Sequence, residues 1–306
     1  MTVPSTGSTT SPQKAHARRT LHSPVALAGL TALAALAGPS PALAKQDHTN
    51  LDEAKVGTYT LPPLLTLGDG TVVRTAEAWT RKRRPEILQL YQDNVHGRTP
   101  TALPRDLTWK VVEEDRHALG GSAHRKQIEM RFSKQADAPV MHVLLYTPAA
   151  AKGRVPVFLV IHFNGNWAVV DDPGVQLYEI WDRKTKQRSK PGADVARGTS
   201  KEWDVPYVLA HGYGIATVYY GDIEPDFEGG AGMPFGVRAQ YWAPGQTTRK
   251  PDDWGAIGAW GWGMSRALDY LRTDKEVDGN KVVAVGQSRL GKTVLWAGAR
   301  IRASRW

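Results

Sequence analysis

The sequence predicts an α/β domain, a three-layer sandwich on a mostly parallel central sheet. Three observations carry that reading. The runs 155–161 and 214–220 are apolar at consecutive positions, as strands covered by helices on both faces must be. A helix-periodic stretch follows the second run. A short apolar run at 281–285 then leads directly into Gly286-Gln287-Ser288 and another helix-prone segment. A length of 306 residues with 41% hydrophobic content suits a globular chain.

The N-terminus reads as an export signal. Its first 44 residues carry Lys14, Arg18 and Arg19 and no acid. An apolar run over 25–37, too short to span a bilayer, is followed by Gly38-Pro39-Ser40-Pro41 and the small-residue site Ala42-Leu43-Ala44. Arg18-Arg19 matches part of a twin-arginine signal. Residues 1–44 are therefore expected to be removed. Residues 45–306 are expected to form one α/β domain, secreted or periplasmic, monomeric and free of the membrane.

Residues 45–80 are polar, with turn signals at Pro62-Pro63 and Gly68-Asp69-Gly70, and read as an extended entry. A helix is predicted over 77–91, with Ile87, Leu88 and Tyr91 on one side. Strand 126–132 alternates, Ile128, Met130 and Phe132 facing one way, as a half-exposed strand would. Strand 140–146 is more continuously apolar. The loops at 171–203 and 222–250 are long for a compact domain, which marks segments with a function of their own or disorder. In the next helix Ile257, Trp260, Met264, Leu268 and Leu271 recur at spacings of three and four, behind Pro251-Asp252-Asp253 as caps and first-turn acids. Gly255, Gly258, Gly261 and Gly263 lower helix propensity there, which predicts close approach of a neighbouring backbone. Asp278-Gly279-Asn280 reads as a turn before the last strand.

Composition removes several functions. Without cysteine there is no disulfide, no thiolate nucleophile and no cysteine metal site. The formal charge is +9, yet the longest basic run is Arg81-Lys82-Arg83-Arg84, too short to track a phosphate backbone, so no nucleic-acid partner is expected. His142 and His162 do not have the spacing of a ligand set, and no metal is expected.

The chemistry sits at Ser288. A buried strand running into Gly286-x-Ser288-x-x-Gly291 and a helix is the setting of a nucleophile elbow. The glycines make room for a tight turn that lifts the serine to the carboxyl end of the sheet, where helix N–H groups stabilise an oxyanion. From Gly-x-Ser alone, a serine that merely caps the helix fits equally well; the strand order favours the elbow.

Gly286-Gln287-Ser288-Arg289-Leu290-Gly291-Lys292 resembles the Gly-x-Ser-Arg-x-Gly-Lys signature of the glucuronoyl esterases, carbohydrate esterase family 15, in their bacterial form. Gln287 stands where Cys or His is usual. The resemblance extends to Tyr219-Tyr220-Gly221-Asp222-Ile223-Glu224-Pro225-Asp226-Phe227, to the helix 254–271 and to His162-Phe163-Asn164-Gly165-Asn166, and so covers 80–299. It implies an α/β-hydrolase-type fold and cleavage of the ester between glucuronoxylan and lignin, with a polysaccharide partner and no cofactor. It makes Ser288 the nucleophile and Arg289 the oxyanion-stabilising guanidinium, and gives Lys292 to the glucuronate hydroxyls. Asn164 and Gly165 form a candidate oxyanion-side loop, for which a plain turn is an equal reading.

A serine nucleophile needs a base and an orienting acid, which in this fold come later in the chain. No Asp, Glu or His follows Ser288, and from Ala299 the sequence turns basic. The expectation is a fold incomplete after the elbow helix, a catalytically inactive chain, and an elbow strand left at the sheet edge. Two other functions stay open: an acetyl-xylan-type esterase on the same scaffold, and a non-catalytic carbohydrate-binding remnant.

Overall fold

The computed structural model describes residues 50–229 and 234–300. The expected signal at 1–44 and the basic ending at 301–306 lie outside these residues. The chain divides into two units, 1–62 and 63–306. The described part of the first holds one 3-10 turn, Glu53–Lys55, started by Asp52, whose carboxylate accepts the Ala54 N–H at 3.1 Å.

The second unit opens on a continuous helical stretch. Ala76–Ala78 (α1) and Arg84–Tyr91 (α2) are joined by a wider π segment, Trp79–Arg83, and extended by another, Gln92–His96. It outruns the predicted 77–91 because Thr75 caps its start through the Ala78 N–H and only Gly97, at φ 76°, ends it. Thr108–His117 (β1) turns through Ala118–Gly121 (α3) into Ala123–Arg131 (β2), and Val140–Pro148 (β3) and Val155–His162 (β4) follow. The long segment at 171–203 contains a hairpin of Ile180–Asp182 (β5) and Gln187–Ser189 (β6). Then come Val205–Ala210 (α4), Gly214–Tyr219 (β7), Tyr220–Ile223 (α5), Ala256–Leu271 (α6), Val277–Gly286 (β8) and Arg289–Arg300 (α7).

The main sheet has the order β1-β2-β3-β7-β4-β8. β4 runs parallel to both β7 and β8, whereas β1, β2 and β3 join by antiparallel pairing. β2, β7, β4 and β8 therefore share one direction. Alternation distributes the side chains. Met141, Val143, Leu159, Ile161 and Val218 face α6 and Leu290 of α7; Leu144, Tyr146, Val160 and Ile215 face Val169, Val170 and the α4 residues Val205 and Leu209. Two apolar layers on one sheet give the sandwich.

Three expectations change in detail. β2 is not half-exposed: its second face carries Arg125 and Gln127, both buried, because Arg125 pairs with Glu113 and Asp172, each at 2.7 Å, and Gln127 bonds Glu113. The last strand absorbs Asp278-Gly279-Asn280, since pairing jumps from Val155↔Val277 to Val157↔Val282 and the extra residues bulge. α6 starts after Gly255, because the Asp253 carboxylate is taken by Gln246 and the Lys250 N–H. The glycine expectation holds in part: a Cβ at Gly258 would lie 3.2 Å from the His96 carbonyl oxygen and one at Gly261 3.5 Å from the Thr293 carbonyl oxygen of α7, but at Gly263 the close neighbour is the Ile223 side chain, at 2.4 Å. β8 is an edge strand among the described residues, with Val283 52% exposed and Leu295 of α7 76% exposed. No helix among the described residues is long and apolar enough to cross a membrane.

Candidate active site

The parallel register sets Ile161 beside Gly286 and His162 beside Tyr219, so β4, β7 and β8 end together. Ligands of open α/β sheets bind outside such carboxyl ends. Here three segments meet: Phe163 and Asn164 after β4, the segment from Tyr220 to Asp226 after β7, and Gln287-Ser288-Arg289 after β8.

Ser288 adopts φ 56°, a left-handed conformation that an L-residue holds only under constraint. The constraint is local. A Cβ at Gly286 would stand 2.5 Å from the Leu290 carbonyl oxygen, and one at Gly291 3.2 Å from that of Gly286. The Leu290 N–H bonds the Gln287 carbonyl at 2.9 Å and the Lys292 N–H bonds that of Ser288 at 3.2 Å, closing the first turn of α7. The Arg289 N–H, at the first helical position, has no intrahelical acceptor. Ser288 is exposed at the helix N-terminus.

Arg289 reaches back across the sheet end. Its guanidinium pairs with the Asp226 carboxylate and lies 5.8 Å from the centre of the Phe163 ring. Asp226 also accepts from Arg183 at 3.2 Å, and Arg183 in turn donates to the Tyr220 hydroxyl at 3.1 Å and stacks over Phe163 and Tyr220. Lys292 is exposed, one turn further along α7. The Asn164 amide donates to Ser200 at 3.2 Å, and Asn164, Ser200 and Gln287 line one small cavity, so this loop adjoins the elbow. Gly165 is held against the Trp167 ring, 2.2 Å from where a Cβ would stand.

The two histidines considered for metal are otherwise engaged. His142 bonds buried Asp222 at 2.8 Å and stacks on Tyr178. His162 bonds Asn166 at 3.0 Å, and burial pushes its pKa down to about 4. Among the described residues no group of three or more acids and histidines could hold a metal ion. No described histidine hydrogen-bonds the Ser288 hydroxyl.

Sequence reasoning left Phe163, Arg183, Tyr220 and Asp226 without a role. Three of them lie inside the runs that carry the family resemblance, which was the available signal. Arg183 had none: it arrives on a hairpin from a segment read as a loop.

A strand of a parallel sheet that delivers an exposed serine through a glycine-walled turn onto a helix defines an α/β-hydrolase-type protein. Within that class the chain is similar, over most of its length, to the glucuronoyl esterases of carbohydrate esterase family 15. A sequence model of the family described as "Glucuronyl esterase, fungi" matches residues 248–302. A curated carbohydrate esterase from an unknown prokaryotic organism is 42% identical over 254 residues, 82% of this chain and 58% of that protein. The structure of a glucuronoyl esterase from Solibacter usitatus superposes with a TM-score of 0.77 at 48% identity, covering 81% of this chain and 62% of that one. A promiscuous CE15 esterase from a marine bacterial metagenome gives 0.71 at 42% identity, covering 82% and 62%. The chain thus spans about three fifths of the length of these relatives.

Proposed function

We propose that this chain carries the nucleophile-bearing part of a serine carboxylesterase for esters of glucuronic acid, with the ester joining glucuronoxylan to lignin as substrate. One observation carries the reading: the exposed Ser288 at φ 56°, between Gly286 and the N-terminus of α7, followed directly by Arg289, whose guanidinium Asp226 holds. Attack of Oγ on the ester carbonyl forms a tetrahedral oxyanion. Its collapse releases the alcohol and leaves an acyl-serine that water hydrolyses to the uronate. Arg289 and the free N–H groups of α7 meet the negative charge as it develops. Lys292 binds hydroxyls of the sugar ring, and Asn164 and Gly165 border the oxyanion side. Such acyl transfer uses neither metal nor organic cofactor. Export through the 1–44 signal brings the protein to a polymer that does not enter cells.

The hydroxyl has no described base, so the 306 residues by themselves are proposed to be inactive. The test is a chimera in which residues 63–300 replace the matched part of the Solibacter usitatus esterase. Hydrolysis of benzyl glucuronate is expected from the chimera, and none from the 306-residue chain or from a Ser288→Ala chimera. A folded chimera whose glucuronate turnover survives Ser288→Ala removes the serine from the mechanism. Turnover by the isolated chain that Ser288→Ala abolishes overturns the inactivity proposal.

A further inference from the structure

The β5–β6 hairpin is the most strongly charged exposed feature beside the site. Residues 179–190 hold five cations (Arg183, Lys184, Lys186, Arg188 and Lys190) against two carboxylates. One of those, Asp182, is spent on the turn, accepting the Lys184 and Thr185 N–H groups at 2.8 and 2.7 Å. The hairpin is fixed in place. Trp181 packs edge-on against Phe227 at 5.5 Å and is tilted on Phe235 at the same distance, and the Lys186 ammonium donates to the Glu228 carbonyl at 3.1 Å. Arg183 ties the turn to Asp226, the partner of Arg289. Lys184 and Lys190 are exposed and neither forms an ion pair among the described residues, although Lys184 lies within electrostatic reach of the turn carboxylate Asp182.

A rigid arm with surplus positive charge, anchored to the carboxylate that holds Arg289, is built to meet negative charge that enters with the substrate. We propose that the β5–β6 hairpin is a docking arm for further carboxylates of an acidic polysaccharide whose esterified uronate lies at Ser288, with Lys184 and Lys190 as the contacting cations. The orientation of that polymer rests on the esterase reading; the binding itself does not. An arm of this kind selects polymers with closely spaced uronates over small esters and neutral xylan.

The test is affinity electrophoresis of the intact chain in gels containing glucuronoxylan or the same polymer with its carboxyls reduced. Glucuronoxylan is expected to retard the chain, less so as salt rises through the Debye regime, and the reduced polymer is not. Lys184→Gln/Lys190→Gln weakens retardation about fivefold, the scale of two exposed charge contacts. Lys110→Gln/Lys152→Gln/Lys275→Gln, which removes more exposed charge elsewhere, leaves it unchanged, as does Ser288→Ala. Equal retardation by the reduced polymer, equal weakening by both lysine sets, or equal retardation by duplex DNA would each overturn the proposal. None of these outcomes bears on the Ser288 test in the chimera, so the two readings fail separately.

Discussion

Asp226 and Arg289, 63 residues apart, form an ion pair that ties the segment after β7 to the first residue of the helix behind Ser288. The pair fixes a long side chain that has many other rotamers, and Phe163 supports the guanidinium from its ring face. A donor held in advance needs no reorganisation when charge develops, which is the condition for oxyanion stabilisation.

In the chimera, Arg289→Ala is expected to lower kcat by about 100- to 1000-fold, the cost of one oxyanion donor. Asp226→Asn leaves the guanidinium in place but loosens it, and about a tenfold fall in kcat with KM little changed is expected, on the principle that transition-state contacts act on kcat. A KM effect alone for Asp226→Asn would make it a substrate-binding group.

The backbone at Ser288 gives a stability prediction independent of activity. A non-glycine residue at φ 56° carries strain of about 1 kcal/mol, so Ser288→Gly raises the free energy of unfolding by about that amount while Ser288→Ala does not. Gly286→Ala drives a methyl to 2.5 Å from the Leu290 carbonyl oxygen and is expected to destabilise by 3 kcal/mol or more, roughly the scale of severe backbone clashes. Urea unfolding of the three variants decides it. A stable Gly286→Ala would mean that the turn is not as tight as described.

The sequence was most legible where one physical rule acts alone. β4 and β7 need apolar residues on both faces because helices or packed loops cover both, and their runs say so. The elbow was legible because only glycine fits at Gly286. It failed where several segments share a decision. The second face of β2 looked solvent-exposed because Arg125 and Gln127 are polar; their burial depends on Glu113 and Asp172, supplied by another strand and a distant loop. Arg183 joined the site the same way, through a hairpin whose docking depends on Phe227 and Phe235.

Glu224 is a second place where a distant partner decides. Its side chain is fully buried, accepts from the Arg238 guanidinium at 3.2 Å and from the Gly236 and Arg238 N–H groups, and so closes the loop that follows the β7 segment. Burial pushes its pKa up, and Arg238 opposes that push. Glu224→Ala removes the buried partner of Arg238, leaving its guanidinium the Glu228 carboxylate at 3.1 Å and the Trp254 carbonyl at 3.3 Å, and is expected to cost about 1 to 3 kcal/mol in unfolding free energy. Glu224→Gln, which keeps an acceptor for the N–H groups, should lose less. Equal losses from the two would show that the ion pair, and not the hydrogen bonds to the loop, holds it closed.

His162 makes the stability depend on pH. Its Nε2 donates to the Asn166 side-chain oxygen, which Thr217 also bonds, and its Nδ1 is buried without a partner. Protonation would put a charged N–H there with no acceptor, and burial accordingly holds the pKa at about 4 against an ordinary 6.5. Between those values the unfolded chain takes up a proton that the folded chain refuses. His162 therefore contributes full stability above pH 6.5, loses it as pH falls, and adds no further loss below pH 4. The integrated loss by pH 4 is about 3 kcal/mol. His162→Gln keeps an amide donor for Asn166 and removes the titration, so its unfolding free energy should fall less between pH 7 and pH 4 by that amount. Chemical denaturation of both proteins across this range measures the difference. Parallel pH curves would mean that His162 is hydrated or protonated in the folded protein.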